Sequence, residues 1–280
     1  MRRALIVAAC VLTAGCGHAA SAPSGPVAPI SSVSVPSLTP NCPDTGFDCD
    51  MQTRIAAVEK YVLTRPGTVG IVLRDRKTGA VWRNAHADDM VWTASTIKLA
   101  MVVNLFERNA AGKITLTAED RGLIQAMLHS SDDKAADTLW KRYSGPTFNA
   151  AFPAYGMTSL VAQRGYSSTF PYWGFEKCTP NDLDRLMTYV LDKAPERDYI
   201  LSQMQGVGPE QQWGVWRSGA GAKNGWSEED GGWVMNSVGF AGPGRRYTLA
   251  IMNNLAGKGG YDEGRATDTE VARILLDGRN

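Results

Sequence analysis

Apolar and polar positions alternate along this chain in two textures, and the boundary between them falls inside the sequence twice. From Met51 to Arg65 the apolar residues Ile55, Val58, Tyr61 and Val62 recur at helical spacing, and Pro66-Gly67 ends the run. Thr68 to Leu73 and Ala80 to Trp82 then read as strands joined by the polar turn Arg76-Lys77-Thr78-Gly79. From Ser95 to about Gln205 nearly every segment has helical periodicity. Within it, Thr179-Pro180-Asn181-Asp182 places an N-cap, a proline at the first helical position and an acid three residues after the cap. After Gly206 the texture returns to strands at Ala220–Trp226, Trp233–Phe240 and Tyr247–Met252, and a last helix runs from Asp262 to Leu276. This order predicts an α+β fold: one five-stranded antiparallel sheet built from both ends of the chain, flanked by terminal helices, with an all-helical lobe (about residues 95–210) inserted between strands.

The N-terminus is of another kind. Residues 1–15 read as a secretory signal, with Arg2 and Arg3 ahead of the short apolar run Ala4 to Leu12. Leu12-Thr13-Ala14-Gly15-Cys16 resembles a bacterial lipobox, which implies lipidation at Cys16 and a membrane-anchored lipoprotein outside the cytoplasm. Residues 17–41 hold five Pro, six Ser and two Gly with no Lys, Arg, Asp or Glu, too little apolar surface to fold, so residues 16–49 are expected to form a tether ahead of a domain at 50–280. Outside the cytoplasm Cys42 could pair with Cys49, or Cys178 with either of them; spacing leaves the choice open.

Composition narrows the function classes. With 280 residues, a net charge of +1, 44% hydrophobic and 20% charged residues, the chain is globular and not a polybasic nucleic-acid binder. Beyond the signal no apolar stretch is long enough to span a bilayer. Of three histidines one, His18, lies in the tether, and none of the cysteines or histidines has metal-ligand spacing; no metal, cofactor or nucleic-acid partner is expected, and the domain is expected to be a monomer. Four of the eight tryptophans, Trp213, Trp216, Trp226 and Trp233, crowd one stretch where aromatic faces could stack on a sugar ring or simply fill a core.

Candidate chemistry centres on Ser95-Thr96-Ile97-Lys98, which opens an almost wholly apolar helix. Residues i and i+3 share a helix face, so Lys98 can lie against the Ser95 hydroxyl, and a desolvated lysine has reason to act as a base. Ser131-Asp132-Asp133-Lys134 matches S-x-x-K as well, so the motif alone carries little weight. The order Ser95-Thr96-Ile97-Lys98, Ser131-Asp132-Asp133, Lys223-Asn224-Gly225 resembles the S-x-x-K, S-D-N and K-T-G series of class A β-lactamases and penicillin-binding proteins. That family's fold, a five-stranded sheet between terminal helices with an inserted helical domain, agrees with the architecture read above.

The resemblance implies a serine acyl-enzyme hydrolase acting on β-lactams or D-Ala-D-Ala-like peptides of peptidoglycan. Ser95 would be acylated, Lys98 would activate it, Ser131 would relay a proton to the leaving amine, and Lys223 would set the local field. Asn224, Gly225 and Trp226 would contact substrate, with the backbone N–H groups of Ser95 and Trp226 as oxyanion hole. Three departures stand out. Asp133 replaces an amide donor with a carboxylate that favours the charged form of Lys98. Asn224 replaces a hydroxyl residue. Between Thr138 and Asn181 the only acid is Glu176, in a context unlike the family's deacylating E-x-x-L-N, so deacylation is expected to be poor. The interval from Ser95 to Ser131 is also shorter than in typical class A enzymes. The alternative expectation is a catalytically weak or inactive lipoprotein of the same fold that binds a cell-wall component or a protein partner.

Overall fold

The computed structural model describes residues 42–165, 167–216 and 220–279. The expected signal, the lipobox-like run with Cys16 and nearly all of the expected tether lie outside the described residues. The chain runs through α1 (Cys49–Val62), β1 (Thr68–Asp75), β2 (Val81–Arg83), β3 (Val91–Trp92), α2 (Ile97–Ala110), α3 (Ala118–His129), α4 (Asp133–Arg142) and α5 (Gly145–Ala151). It continues with β4 (Val161–Ala162), β5 (Glu176–Cys178), α6 (Pro180–Asp192), α7 (Arg197–Gln205), β6 (Gly221–Glu229), β7 (Gly232–Ala241), β8 (Tyr247–Asn254) and α8 (Tyr261–Leu276).

The main sheet has five antiparallel strands in the order β2-β1-β8-β7-β6, so the first and last thirds of the chain meet at the β1–β8 pair, in register from Thr68 opposite Asn254 to Asp75 opposite Tyr247. Both faces are buried, and period-two alternation divides the strand residues between two cores. Ile71, Leu73, Leu249 and Ile251 pack with Met51 and Val58 of α1 and with Val271 and Leu275 of α8. Val72, Ala250, Met252, Val238 and Phe240 point the other way, into the larger core shared with α2, α3, α4 and α6. Arg279 fastens the C-terminus to the start of α1 through Asp48 (2.6 Å) and Asp50 (2.5 Å).

The inserted lobe differs from expectation in one respect. It is not wholly helical: β3, β5 and β4 form a small antiparallel sheet, with Val91 opposite Cys178 and Val161 opposite Lys177. These runs are two or three residues long, too short for period-two alternation to register in the sequence. The helix signals hold. Thr179 and Asp182 close a reciprocal capping box at the head of α6, and Thr117 and Asp120 do the same for α3.

Among the cysteines, Cys178 is fully buried with its thiol 4.0 Å from Met252 Sδ, which excludes a bridge from it to Cys42 or Cys49. Cys42 and Cys49 instead lie side by side, and hydrogen bonding to Cys49 pushes the Cys42 thiol up to about 11. Among the described residues no disulfide joins Cys42, Cys49 or Cys178. No helix among the described residues is long and apolar enough to cross a membrane.

Candidate active site

The site is built where α2, the α3–α4 turn and the edge strand β6 meet. Ile97 to Phe106 of α2 are all buried, which plants the helix in the lobe's core; each large apolar side chain contributes about 1.5–3 kcal/mol. Ser95 sits just ahead of α2 in a single 3-10 turn, Ala94–Thr96. Ala94 is in the left-handed region at φ 44°, a strained conformation that costs about 1–3 kcal/mol and aims the next residue out of the turn. Asn236 of β7 steadies the approach by donating to the carbonyls of Trp92 (2.8 Å) and Thr93 (3.2 Å).

Strand β6 supplies the opposite wall. Side chains alternate along it, so Lys223 and Gly225 face one side while Asn224 and Trp226 face the other. Gly225 lies so close to Ser95 that a Cβ there would stand 2.7 Å from the backbone nitrogens of both Ser95 and Thr96. Only glycine permits that approach. The side chain of Lys223, on the same face, donates to Ser131 Oγ at 2.8 Å and to the Asn224 carbonyl at 2.7 Å. Ser131 is itself left-handed, at φ 61°, in the turn before α4, whose N-cap is Asp132 with Oδ1 accepting from Ala135 N at 2.8 Å.

Lys98 is completely buried, and its ammonium does not turn to the Ser95 hydroxyl as helical spacing suggested. It donates to the Ser131 carbonyl and to Asp133 Oδ1, both at 2.5 Å, and lies 4.6 Å from the centroid of Trp173. Trp173 is held by Asp137, which accepts from its Nε1 at 2.9 Å and from the Tyr172 hydroxyl at 2.6 Å. Burial pulls Lys98 below the ordinary lysine range, opposed by the carboxylates of Asp133, Asp132 and Asp137. Burial pulls Lys223 well below that range, with the Lys98 charge adding to the effect and Asp133 opposing it.

Ser95, Lys98, Ser131, Asp133, Lys223 and Gly225 therefore meet in one place. Two expected residues stand elsewhere. The Asn224 amide is buried on the far face of β6, donating to the carbonyls of Gln211 (2.7 Å) and Trp213 (3.3 Å) while Oδ1 accepts from Ser237 Oγ (2.7 Å). Strand alternation makes it a brace for the strand and removes it from substrate. Glu176 is fully buried, with Oε1 accepting from Asn149 Nδ2 at 2.6 Å, and burial pushes its carboxyl up to about 8. A carboxyl turned into the lobe and protonated at neutral pH cannot serve as the base that activates a water.

The Trp226 ring, behind the strand, packs against Trp213 (centroids 6.1 Å apart) and Tyr261 (5.8 Å), and Trp233 reaches Tyr261 at 5.8 Å. These rings fill a core against one another. A cavity of about 520 Å³ opens beside the site, between Trp92, Arg164 and Lys177 on one side and Glu228, Glu229 and Asp230 at the end of β6 on the other. Glu228 follows Gly225 by three strand residues, so the cavity begins about 10 Å from Ser95.

Solved structures that superpose on the chain include an ancestral class A β-lactamase (TM-score 0.64, 20% identity, covering 81% of this chain and 99% of that one). A β-lactamase from Chitinophaga pinensis superposes with a TM-score of 0.69 at 15% identity, covering 81% and 100%. The chain has the β-lactamase fold. A family model described as the beta-lactamase enzyme family matches residues 51–121 of this β-lactamase-fold chain, the stretch that carries Ser95 and Lys98. "Putative lipoprotein LppW" of Mycobacterium tuberculosis, and its counterpart in Mycobacterium bovis, are 28% identical over 255 residues, covering 84% of this chain and 77% of theirs. The motif-based resemblance and the antiparallel-sheet architecture agree with these matches.

Trp173, Asp137, Asn236 and the strained Ala94 escaped sequence reasoning. Trp173 and Asn236 reach the site from 75 and 138 residues beyond Lys98, and no local pattern announces such contacts.

Proposed function

We propose that this protein is a serine acyl-enzyme hydrolase of the β-lactamase and penicillin-binding type, acting on β-lactams or D-Ala-D-Ala-like peptides and releasing its acyl group slowly. The observation that carries the reading is the convergence of Ser95, Lys98, Ser131 and Lys223, from three distant segments, on one wall closed by Gly225. Ser95 attacks the acyl carbonyl, the oxyanion takes hydrogen bonds from backbone N–H groups at Ser95 and Trp226, and Ser131 returns a proton to the departing amine. The nearby cavity accommodates the substrate's side chain. Slow release follows from Glu176, whose carboxyl is spent on Asn149.

The lipobox-like Leu12 to Cys16 and the lipoprotein name of the mycobacterial relatives support a lipid anchor at Cys16, with the domain working at the outer face of the cytoplasmic membrane on a peptidoglycan-type peptide. A second reading, a weak or inactive binder of a cell-wall component, is favoured by the Lys98–Asp133 ion pair, which favours the charged form of the expected base. Incubation with a fluorescent penicillin, beside Ser95→Ala, separates the two. Our reading expects a covalent label on the wild type alone that outlasts removal of free penicillin by many minutes. Unlabelled wild-type protein that hydrolyses no β-lactam would favour the binder.

A further inference from the structure

The two buried lysines of the site have opposite surroundings. Lys98 Nζ meets only groups that suit an ammonium: the Asp133 carboxylate, the Ser131 carbonyl and the face of Trp173, with Asp132 and Asp137 farther out. Lys223, 1% exposed, meets the Ser131 hydroxyl and the Asn224 carbonyl; among the described residues no carboxylate lies within ion-pair distance of it. The charges that act on Lys223 from the packed elements are Lys98 of α2 and Asp133 of α4, which are themselves paired at 2.5 Å and largely cancel. A fully buried lysine without a counter-ion sheds its proton, whereas one with a carboxylate in contact keeps it. Burial lowers both lysines; contact with Asp133 opposes it at Lys98, and the Lys98 charge adds to it at Lys223.

From this arrangement we infer that Lys223, acting through Ser131, is the proton acceptor when Ser95 is acylated, and that Lys98 is a fixed cation clamped by Asp133. The inference rests on the reading of Ser95 as the nucleophile. A neutral Lys223 amine offers its lone pair to the Ser131 hydroxyl, 2.8 Å away. As the bond from Ser95 Oγ to the acyl carbon forms, the Ser95 proton moves to Ser131 Oγ and the Ser131 proton moves to Lys223 Nζ. When the carbon–nitrogen bond breaks, the departing amine takes a proton from Ser131, which recovers one from the Lys223 ammonium. Charge and protons balance over the cycle, and Lys98 stays an ammonium throughout. Asp133, which on the sequence alone looked like damage to the base, instead separates the roles of the two lysines.

Lys223→Arg tests the assignment, because arginine keeps the positive charge and the hydrogen bond to Ser131 but cannot accept a proton at neutral pH. If Lys223 is the acceptor, acylation of Ser95 by benzylpenicillin, followed by intact mass, slows about 100-fold or more. If Lys223 served only as a charge, the variant would keep its rate within about tenfold, and the inference would fall.

The resting protein gives a second readout that needs no folded variant at Lys223. In protein labelled with nitrogen-15 at the lysine side chains, the Lys223 signal should have the shift of a free amine at pH 7 and the Lys98 signal that of an ammonium. The acid limb of the wild-type acylation rate should share its midpoint with the Lys223 titration. A charged Lys223 beside a neutral Lys98, or a midpoint that follows Lys98, overturns the inference. Wild-type protein that no penicillin acylates would overturn the proposed function, and the nitrogen shifts would still uphold or overturn the asymmetry between the lysines.

Discussion

Buried titratable groups occur in two regions of this molecule, the cleft wall and the interior behind it, and they are handled differently. At the cleft, Lys98 is buried against the Asp133 carboxylate that pairs with it, and Lys223 against the Ser131 hydroxyl, with which it can trade a proton. In the interior, Glu176 is matched to Asn149 and Asp268 to Asn253, each acid to a single amide. Burial drives both acids upward, Glu176 to about 8 and Asp268 well above the carboxylate range. In each interior pair the second carboxyl oxygen and the amide oxygen are buried with no hydrogen-bond partner among the described residues, an arrangement completed when the protonated acid donates to the amide. The same physical cause, removal from water, thus produces a reactive amine in one place and an inert acid in the other. What separates them is whether the neutral group touches the space a substrate would occupy.

That contrast can be broken most severely at Gly225. A methyl group there would push directly on the Ser95 and Thr96 nitrogens, so Gly225→Ala should slow acylation about 100-fold while costing only about 1–3 kcal/mol of stability in chemical denaturation. Normal acylation by this variant would detach the β6 wall from the chemistry.

The interior pairs should show the reverse, stability without chemistry. Glu176 holds a proton in the folded state between its ordinary 4.5 and about 8, a window in which the unfolded chain has lost it. The folded state therefore loses stability as pH rises through that window, by on the order of 5 kcal/mol. Glu176→Gln should flatten this slope, leaving the variant more stable than wild type at pH 9, with an unchanged acylation rate. Denaturation midpoints measured from pH 5 to 9 decide the matter; parallel curves for the two proteins would contradict the buried-acid reading.

Asp268→Ala gives the smallest effect of the three. It strands the Asn253 amide beneath α8 and should cost about 1–3 kcal/mol without altering Ser95 labelling by penicillin. A change in labelling would mean that the interior behind the sheet is coupled to the cleft.

Much of this division was legible in the sequence where periodicity or local chemistry recorded it. Strands β1, β2, β6, β7 and β8 and the capping box at Thr179 carry their signals within a few residues, and the convergence of Ser95, Ser131 and Lys223 followed from motif order. The contact between Asp133 and Lys98 was also implied by that order. The face on which Asn224 lies was not, because a motif aligned to another family carries no information about which side of a strand each residue takes. Nor was the lysine asymmetry, which depends on the distances of Trp173, Asp133 and Ser131 from two amines 125 residues apart. The short strands β3, β4 and β5 are fixed by pairing alone, with Thr93 N donating to the Glu176 carbonyl at 2.8 Å to extend them toward the site.

The most direct test of the account locates the acyl group. After incubation with benzylpenicillin, proteolytic peptide mapping by mass spectrometry should find one adduct, on the peptide that contains Ser95, persisting after free penicillin is removed and missing from Ser95→Ala. An adduct on Ser131 or another residue, or an unmodified Ser95 peptide with no β-lactam consumed, would contradict it.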